Sequence, residues 1–160
     1  MTFIIDGTAG ATFPNGTNPQ AAPSKVLQVV NATYSTQTSN STGTYADTGL
    51  TASITPLFST SKILVEVHQN GVVKTSNDTA ANIILLRGAS QIAYFSGYAG
   101  QNGSTSPNGI GSVSISYLDS PATTSSVTYK TQISSVSSNA SVSAQQISAT
   151  STITLLEIAQ

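Results

Sequence analysis

Hydrophobic and polar residues alternate along much of the chain, and most regularly in residues 61–69. Alternation with a period of two predicts a β-strand whose successive side chains point to opposite faces. β-Branched residues on one face suit a half-buried sheet, so this face is predicted to lie in the core. The other face must meet a second protein surface, a ligand or water. The two faces carry Ile63, Val65 and Val67, and Leu64, Glu66 and His68, respectively.

Similar short segments recur throughout the chain, separated by spacers that are rich in Gly, Asn, Ser and Pro. Regularly spaced strands with turn residues between them predict an all-β sandwich or barrel. Helix is the alternative for 80–86 and 140–147, but both are short and lack capping signals, and Ser and Thr disfavour helix interiors. The predicted strands are 26–34, 44–47, 51–55, 62–69, 80–87, 91–96, 111–118, 127–134, 140–147 and 151–158.

The spacers contain residues that favour specific turns. Asn-Gly pairs at 70–71, 102–103 and 108–109 supply the positive φ that turns require, and residues 87–90 fit a tight hairpin. Residues 97–108 form the longest spacer and are predicted to be a surface loop.

Two groups of residues near this loop have alternative interpretations. Tyr98, Gln101 and Asn102 are the candidate binding residues of the loop, although such a spacer also serves merely to connect two strands. Tyr94 and Phe95 alternate within a strand-like run, so these two aromatic residues and Tyr98 are predicted to fill the core rather than to form a contact patch.

The N-terminal segment differs from the rest of the chain. Residues 1–24 contain closely spaced Gly, Asn and Pro and are predicted to be an extended arm and linker that cannot form a core of its own. The compact domain is predicted to span residues 25–160. The candidate docking residues of the arm are Phe3, Ile4, Phe13, Pro14 and Asn15.

Composition narrows the classes of function. Charged residues make up 7% of the 160 residues, against about 25% in typical domains, whereas Ser and Thr account for 49 positions. The five basic residues are dispersed, which argues against nucleic acid as a partner. Neither a signal peptide in residues 1–10 nor an apolar run long enough to span a membrane is present, so no membrane partner is expected. A nearly uncharged surface gives little protection against association and favours deliberate assembly.

The few ionisable residues do not form a recognisable catalytic motif. His68 is the sole histidine and has no nucleophile motif with it, while Glu66 and Glu157 are the carboxylates that could pair for hydrolytic chemistry. A single histidine at a strand end is more often a hydrogen-bonded surface residue. No enzyme activity, cofactor or metal site is therefore predicted, and Glu66 and His68 are interpreted as a candidate hydrogen-bonding pair at a subunit interface.

Several motifs resemble segments of known proteins. The opening segment Asp6-Gly-Thr-Ala-Gly-Ala-Thr-Phe-Pro-Asn-Gly-Thr17 resembles the arm of many tailed-phage fibre and surface proteins. Taken in order, the motifs are similar to those of short, Ser/Thr-rich virion proteins of marine and freshwater tailed bacteriophages. The remaining motifs are Lys25-Val-Leu-Gln-Val-Val30, Asp47-Thr-Gly-Leu-Thr-Ala-Ser-Ile-Thr-Pro56, Ser61-Lys-Ile-Leu-Val65, Leu85-Leu-Arg-Gly88, Ser116-Tyr-Leu-Asp-Ser-Pro121, Thr128-Tyr-Lys-Thr131 and Ser151-Thr-Ile-Thr-Leu-Leu-Glu-Ile158.

This resemblance implies a trimeric, jelly-roll-like antiparallel β-sandwich on the surface of a virion, without enzyme activity. Two roles follow from it. In the first, the protein is a capsid decoration or cement protein whose arm docks on the shell, with the major capsid protein as its partner. In the second, it is the head domain of a short tail or head fibre whose loops touch a host receptor or glycan. The first role is favoured.

Overall fold

A computed structural model describes residues 25–75, 78–99, 103, 106–137 and 140–160, together with the backbone of 4–6 and 10–12. In these ranges the secondary structure is twelve β-strands and one short 3-10 turn, and no helix there is long and apolar enough to cross a membrane. The strands are β1 (Ile4–Asp6), β2 (Gly10–Thr12), β3 (Val26–Tyr34), β4 (Thr38–Asn40), β5 (Ala46–Ile54), β6 (Lys62–Lys74), β7 (Ala81–Arg87), β8 (Ser90–Ala99), β9 (Asn108–Asp119), β10 (Val127–Ser135), β11 (Val142–Ala144) and β12 (Ser151–Ile158).

The strands from β3 onwards form two antiparallel sheets. One sheet has the order β5-β10-β7-β8. In the other, β6 is central: β9 pairs along one edge of β6, β12 and then β11 pair along the opposite edge, and β3 and β4 lie outside them. β1 and β2 form a separate antiparallel pair. The protein is thus an all-β, jelly-roll-like antiparallel sandwich, as predicted.

The alternation in β6 has the predicted result. Ile63, Val65 and Val67 are completely buried between the sheets, whereas the even-numbered residues of this part of the strand remain at least partly exposed. A second, smaller hydrophobic cluster lies around Val72 and Ile133. Strand β6 therefore contributes to both halves of the core.

A buried polar layer separates the two hydrophobic clusters. The Gln69 side chain accepts a hydrogen bond from Thr131 Oγ1 on the opposite sheet at 2.8 Å and donates to Ser151 Oγ at 3.0 Å. The hydroxyls of Thr131 and Thr48 are hydrogen-bonded to each other, and Gln145 Nε2 donates to Ser151 Oγ at 3.1 Å. Because a buried polar group is costly unless it is paired, these contacts fix how the two sheets face each other.

One predicted turn and one predicted spacer are instead irregularities within strands, and the Asn-Gly pair at 108–109, also predicted to be a turn, belongs to β9. The Asn-Gly pair at 70–71 was expected to end β6, but β6 continues to Lys74 and Gly71 has a φ of +59° at a bulge against β9. Gly49 has a φ of +87° and lies in a bulge of β5, which joins the two strands predicted at 44–47 and 51–55. Glycine at positive φ fits either a turn or a bulge, and the partner strand decides between them.

Other strand boundaries differ from the predicted ones where the sequence is polar. β4 was not predicted, because its Thr-Ser-Asn sequence carries no hydrophobic signal. The predicted strand at 140–147 is a strand only over Val142–Ala144, after which Gln145, Ile147 and Ser148 adopt left-handed conformations. The two-residue hairpin between Arg87 and Ser90 is confirmed by their pairing.

The prediction for the three aromatic residues near β8 is correct only for Phe95. Phe95 is half-buried and packs against both hydrophobic clusters. Tyr94 and Tyr98 are 50% and 60% exposed, respectively, and Tyr98 lies within β8 rather than in the following loop. Tyr94 points away from the core because it alternates with Phe95, and its hydroxyl is bound on the outside of the sheet.

Candidate interaction surface

The larger sheet presents one face to the core and the opposite face, here called the outer face, away from it. One row of directly paired residues crosses four strands of this face and is entirely apolar. Leu118 and Val29, at its two ends, are 52% and 57% exposed. We call this the apolar row, and its members are Leu118 of β9, Leu64 of β6, Leu156 of β12 and Val29 of β3.

The row on one side of the apolar row is polar and contains Glu66, whereas the row on the other side contains Lys62, Ile158 and Val26. Glu66 accepts a hydrogen bond from Ser116 Oγ at 3.4 Å, and His68 Nδ1 lies 3.0 Å from Ser114 Oγ. Farther along the Glu66 row, Asn31 Nδ2 donates to Thr154 Oγ1 at 2.9 Å. Such a surface can pack against another protein with few charges to compensate, the two beside the apolar row being Glu66 and Lys62.

The sequence-predicted site residues are distributed as follows. Glu66 and His68 lie two residues apart on the outer face, where each contacts a serine of β9, so their pairing across a subunit interface stays a prediction. Tyr98 lies on the other sheet, and Ile4 is part of β1. The other arm residues (Phe3, Phe13, Pro14 and Asn15) and the loop residues Gln101 and Asn102 lie outside the described residues.

Glu157 is separated from Glu66 by the sheet itself. Its side chain points inward and is completely buried, and its carboxylate accepts hydrogen bonds from Gln28 Nε2 at 2.6 Å and from the backbone N–H groups of Leu57 and Phe58 at 2.8 and 3.3 Å. Burial by itself raises the pKa of Glu157, but these hydrogen bonds outweigh it and hold the pKa below its ordinary value. The two glutamates therefore do not form a pair of facing carboxylates.

A second buried carboxylate belongs to an ion pair. Arg87 Nη1 lies 3.0 Å from both carboxylate oxygens of Asp119, and the Tyr129 hydroxyl donates to Asp119 at 2.6 Å. Burial raises the pKa of Tyr129, and the adjacent Asp119 raises it further. This cluster joins β7, β9 and β10. No group of three or more His, Asp or Glu side chains in the described ranges is arranged to hold a metal ion.

The apolar row was not recognised from the sequence. Outward-facing leucines at 64, 118 and 156 are visible in the alternation of their strands, but nothing local indicates that they stand opposite one another. A shift of one residue in any pairing would move its side chain to the other face. The row is therefore a property of the register rather than of any single segment.

Comparisons with known proteins bear on the fold. No family model and no curated protein matches the sequence. Among solved structures, the chain is similar to VP2 of infectious bursal disease virus in the crystal structure of its subviral particle, with a TM-score of 0.51 and 13% sequence identity. The match covers 82% of this chain and 32% of that chain, so this chain spans about a third of VP2. At this identity, the likeness shows a shared β-sandwich fold.

Proposed function

We propose that this protein is a non-enzymatic structural protein on the surface of a phage particle, and that it is a homotrimeric decoration protein of the capsid. The observation that carries the proposal is the apolar row on a sheet face that has few charged groups beside it. A row of this kind provides an apolar centre for a contact between copies, with a polar rim around it. The sandwich fold shared with VP2, a protein seen in a subviral particle, supports a virion role.

In this proposal each part of the chain has a distinct task. The outer faces of three copies meet around a threefold axis, where heterologous contacts close the ring. Glu66 and His68 then lie beside the apolar row and hydrogen-bond across the subunit interface. The arm, with Phe3, Ile4, Phe13, Pro14 and Asn15, docks on the major capsid protein. A protein that binds only the assembled shell stabilises it by mass action.

A charge placed in the apolar row should dissociate the trimer. In Leu118→Glu the new carboxylate would be buried at the subunit contact, and we expect association to weaken about thirtyfold, as for a hot spot of about 2 kcal/mol. Leu118 is exposed on an edge strand, so the subunit itself should fold normally. Sedimentation velocity over a range of concentrations measures the oligomeric state.

Ser53→Glu is the matched control for this experiment, because it adds the same charge at an exposed position of the smaller sheet. It should leave the trimer intact. A wild-type protein that is monomeric at all concentrations, or a Leu118→Glu variant that associates normally, would contradict the proposed interface.

Substitutions in the arm should separate docking from assembly. We expect the full-length double variant Phe3→Ser/Phe13→Ser to remain trimeric but to lose binding to particles that lack this protein, because the apolar contacts of the arm are removed. Co-sedimentation with such particles measures occupancy. Normal occupancy by this variant would contradict a docking role for the arm.

The second candidate function is the head domain of a short fibre, and the exposed side chains of Tyr94 and Tyr98 are the observation that favours it. Quantitative mass spectrometry of purified particles distinguishes the two roles. Hundreds of copies per particle are expected for a decoration protein, whereas a few tens or fewer would identify a fibre.

A further inference from the structure

Two tyrosines, Tyr94 and Tyr98, are exposed on the outside of the smaller sheet, and Tyr45 lies far from them along the chain. Tyr94 and Tyr98 belong to β8, and Tyr45 immediately precedes β5. Burial raises the pKa of Tyr94, and the Tyr45 and Tyr98 side chains raise it further. We call Tyr94 and Tyr98, together with Asn82 and Gly97, the tyrosine patch.

A bulge in β8 positions Tyr98. Ala81 pairs with Ala99 and Ile83 pairs with Ser96, so Asn82 stands alone opposite the two residues Gly97 and Tyr98. Tyr98 has a φ of +56°, a conformation that is unfavourable for a residue with a Cβ atom. Bulges and strained residues of this kind re-aim side chains and occur preferentially at functional sites.

Asn82 fixes both exposed tyrosines. Its Oδ1 accepts a hydrogen bond from the Tyr94 hydroxyl at 2.7 Å and another from the backbone N–H of Tyr98 at 3.2 Å. Because a backbone N–H can only donate, the oxygen of the amide must face Tyr98 and Nδ2 must point elsewhere. Within the described part of the chain, Nδ2 makes no hydrogen bond.

The Tyr94 ring is also held by the backbone beneath it. A Cβ atom at position 97 would lie 2.5 Å from the Tyr94 hydroxyl oxygen and 2.7 Å from Cε1, so glycine at this position allows the ring to lie against the strand. Tyr94 remains 50% exposed in this position. The ring is thus ordered before any ligand binds, which lowers the entropic cost of binding.

The patch carries no charge of its own. The neighbouring Asp47 is neutralised by Lys130, whose Nζ lies 2.8 Å from Asp47 Oδ1, and Asp47 also accepts a hydrogen bond from Gln132. The patch therefore offers exposed aromatic rings, phenolic hydroxyls and amide donors. Neutral sugars match this set, because their C–H faces pack on aromatic rings and their hydroxyls pair with uncharged donors and acceptors.

We propose that the tyrosine patch binds neutral saccharides, of the kind found in bacterial surface polysaccharides. This inference goes beyond the proposed function and does not depend on it, because a saccharide site could serve a decoration protein or a fibre. Copy number and oligomeric state test the proposed function separately.

The experiment uses the full-length protein and a panel of neutral oligosaccharides, consisting of maltotriose, cellotriose, chitotriose and mannotriose. Saturation-transfer NMR identifies the members that bind, and titration gives their affinities. At least one member should bind, and Tyr98→Gly should weaken its binding about tenfold. Because glycine tolerates positive φ, this variant should unfold no more easily than the wild type, so the loss would not reflect misfolding.

Phe58→Ala is the matched control, since Phe58 is 57% exposed but lies in the loop between β5 and β6, away from the patch. Its affinity should equal that of the wild type. Three results would overturn the proposal: no binding by any oligosaccharide of the panel, unchanged binding by Tyr98→Gly, or an equal loss in Phe58→Ala. A change of oligomeric state in Tyr98→Gly would instead assign the patch to a subunit contact and would also reject the saccharide site.

Discussion

Replacing Gly71 with alanine should lower the free energy of unfolding by about 3 kcal/mol, as the sum of backbone strain and overpacking. Gly71 has a φ of +59°, and a Cβ atom there would lie 2.5 Å from the backbone nitrogen of Gln146 and 3.0 Å from the carbonyl carbon of Gln145. Backbone atoms cannot rotate away as the end of a side chain can. The segment is held in place by a hydrogen bond from Gln145 N to Asn70 O at 2.9 Å.

Displacement of this segment should also disturb the buried polar layer. Gln145 Nε2 donates to Ser151 Oγ, which in turn accepts from Gln69 Nε2 and from the backbone N–H of Asn70. Moving Gln145 leaves buried groups without their partners, which is the costly situation for polar groups between sheets. We therefore expect the alanine variant to lose cooperativity as well as stability.

Two other glycines allow the contributions of backbone strain and overpacking to be measured separately. Gly88 has the same φ of +59° with no atom within 4 Å of an added Cβ, so Gly88→Ala measures the backbone strain alone, expected to be about 1 kcal/mol. Gly109 has an open Cβ position and is not among the positive-φ glycines, so Gly109→Ala should change stability little. Urea unfolding, with the midpoint and slope fitted for each variant, makes the comparison. Equal losses of unfolding free energy in Gly71→Ala and Gly88→Ala would show that residues 145–149 move to accommodate the added Cβ atom at little energetic cost.

The parts of the fold that the sequence predicted best are strands whose side chains alternate between a more buried and a more exposed face. β3 and β12 span 26–34 and 151–158, the same residues as predicted. In β12 every second residue is buried, and the neighbouring segments break the alternation. Local pattern is sufficient here because each inward side chain gains free energy from burial independently of which strand lies next to it.

The parts that were missed depend on contacts between distant segments. Gly71 fits a turn as well as a bulge, and only the pairing of β6 with β9 makes it a bulge. β4 is extended because β11 pairs with it, and Asn40 on this strand donates to the distant carbonyl of Ile133 at 2.8 Å. These outcomes depend on strand register and on side-chain hydrogen bonds. Neither can be inferred from the periodicity of a single segment.

The same distinction applies to the candidate surfaces. The outward position of Glu66 and His68 followed from the alternation of β6 and is confirmed by their exposure. The apolar row and the tyrosine patch instead require the register of several strands. Tyr98 was predicted to be a core or loop residue, because the bulge that turns it outward is created by pairing with β7.

Replacing Glu157 with glutamine should destabilise the protein by about 2 kcal/mol at neutral pH and should also remove part of its acid sensitivity. The glutamine oxygen could still accept from the backbone N–H groups of Leu57 and Phe58, but its NH2 group would then face Gln28 Nε2, which is also a donor. Two of the three hydrogen bonds to the carboxylate can therefore be kept, and the side chain has no ion-pair partner among the described residues that would be left uncompensated. The expected loss is therefore smaller than that for a deeply buried ion pair.

The sign of the pH dependence follows from the lowered pKa of Glu157. Burial opposes the charged form, but the hydrogen bonds from Gln28, Leu57 and Phe58 favour it more strongly, so the folded-state pKa lies below the ordinary value of 4.5. The folded state therefore binds this proton more weakly than the unfolded state does. The stability that Glu157 contributes should be complete above about pH 4.5 and should be lost as the pH falls through the folded-state pKa.

Unfolding free energies of the wild type and Glu157→Gln, measured in urea from pH 7 to pH 2.5, should thus differ most at neutral pH and converge in acid. Glu66→Gln is the matched control, because Glu66 lies on the outer face and accepts only a long hydrogen bond of 3.4 Å. Its stability should follow the wild-type pH profile throughout. A Glu157→Gln profile parallel to that of the wild type would show that Glu157 is not the source of the acid sensitivity, and the pKa of Asp47, lowered chiefly by its hydrogen bond from Lys130, would be the next to test.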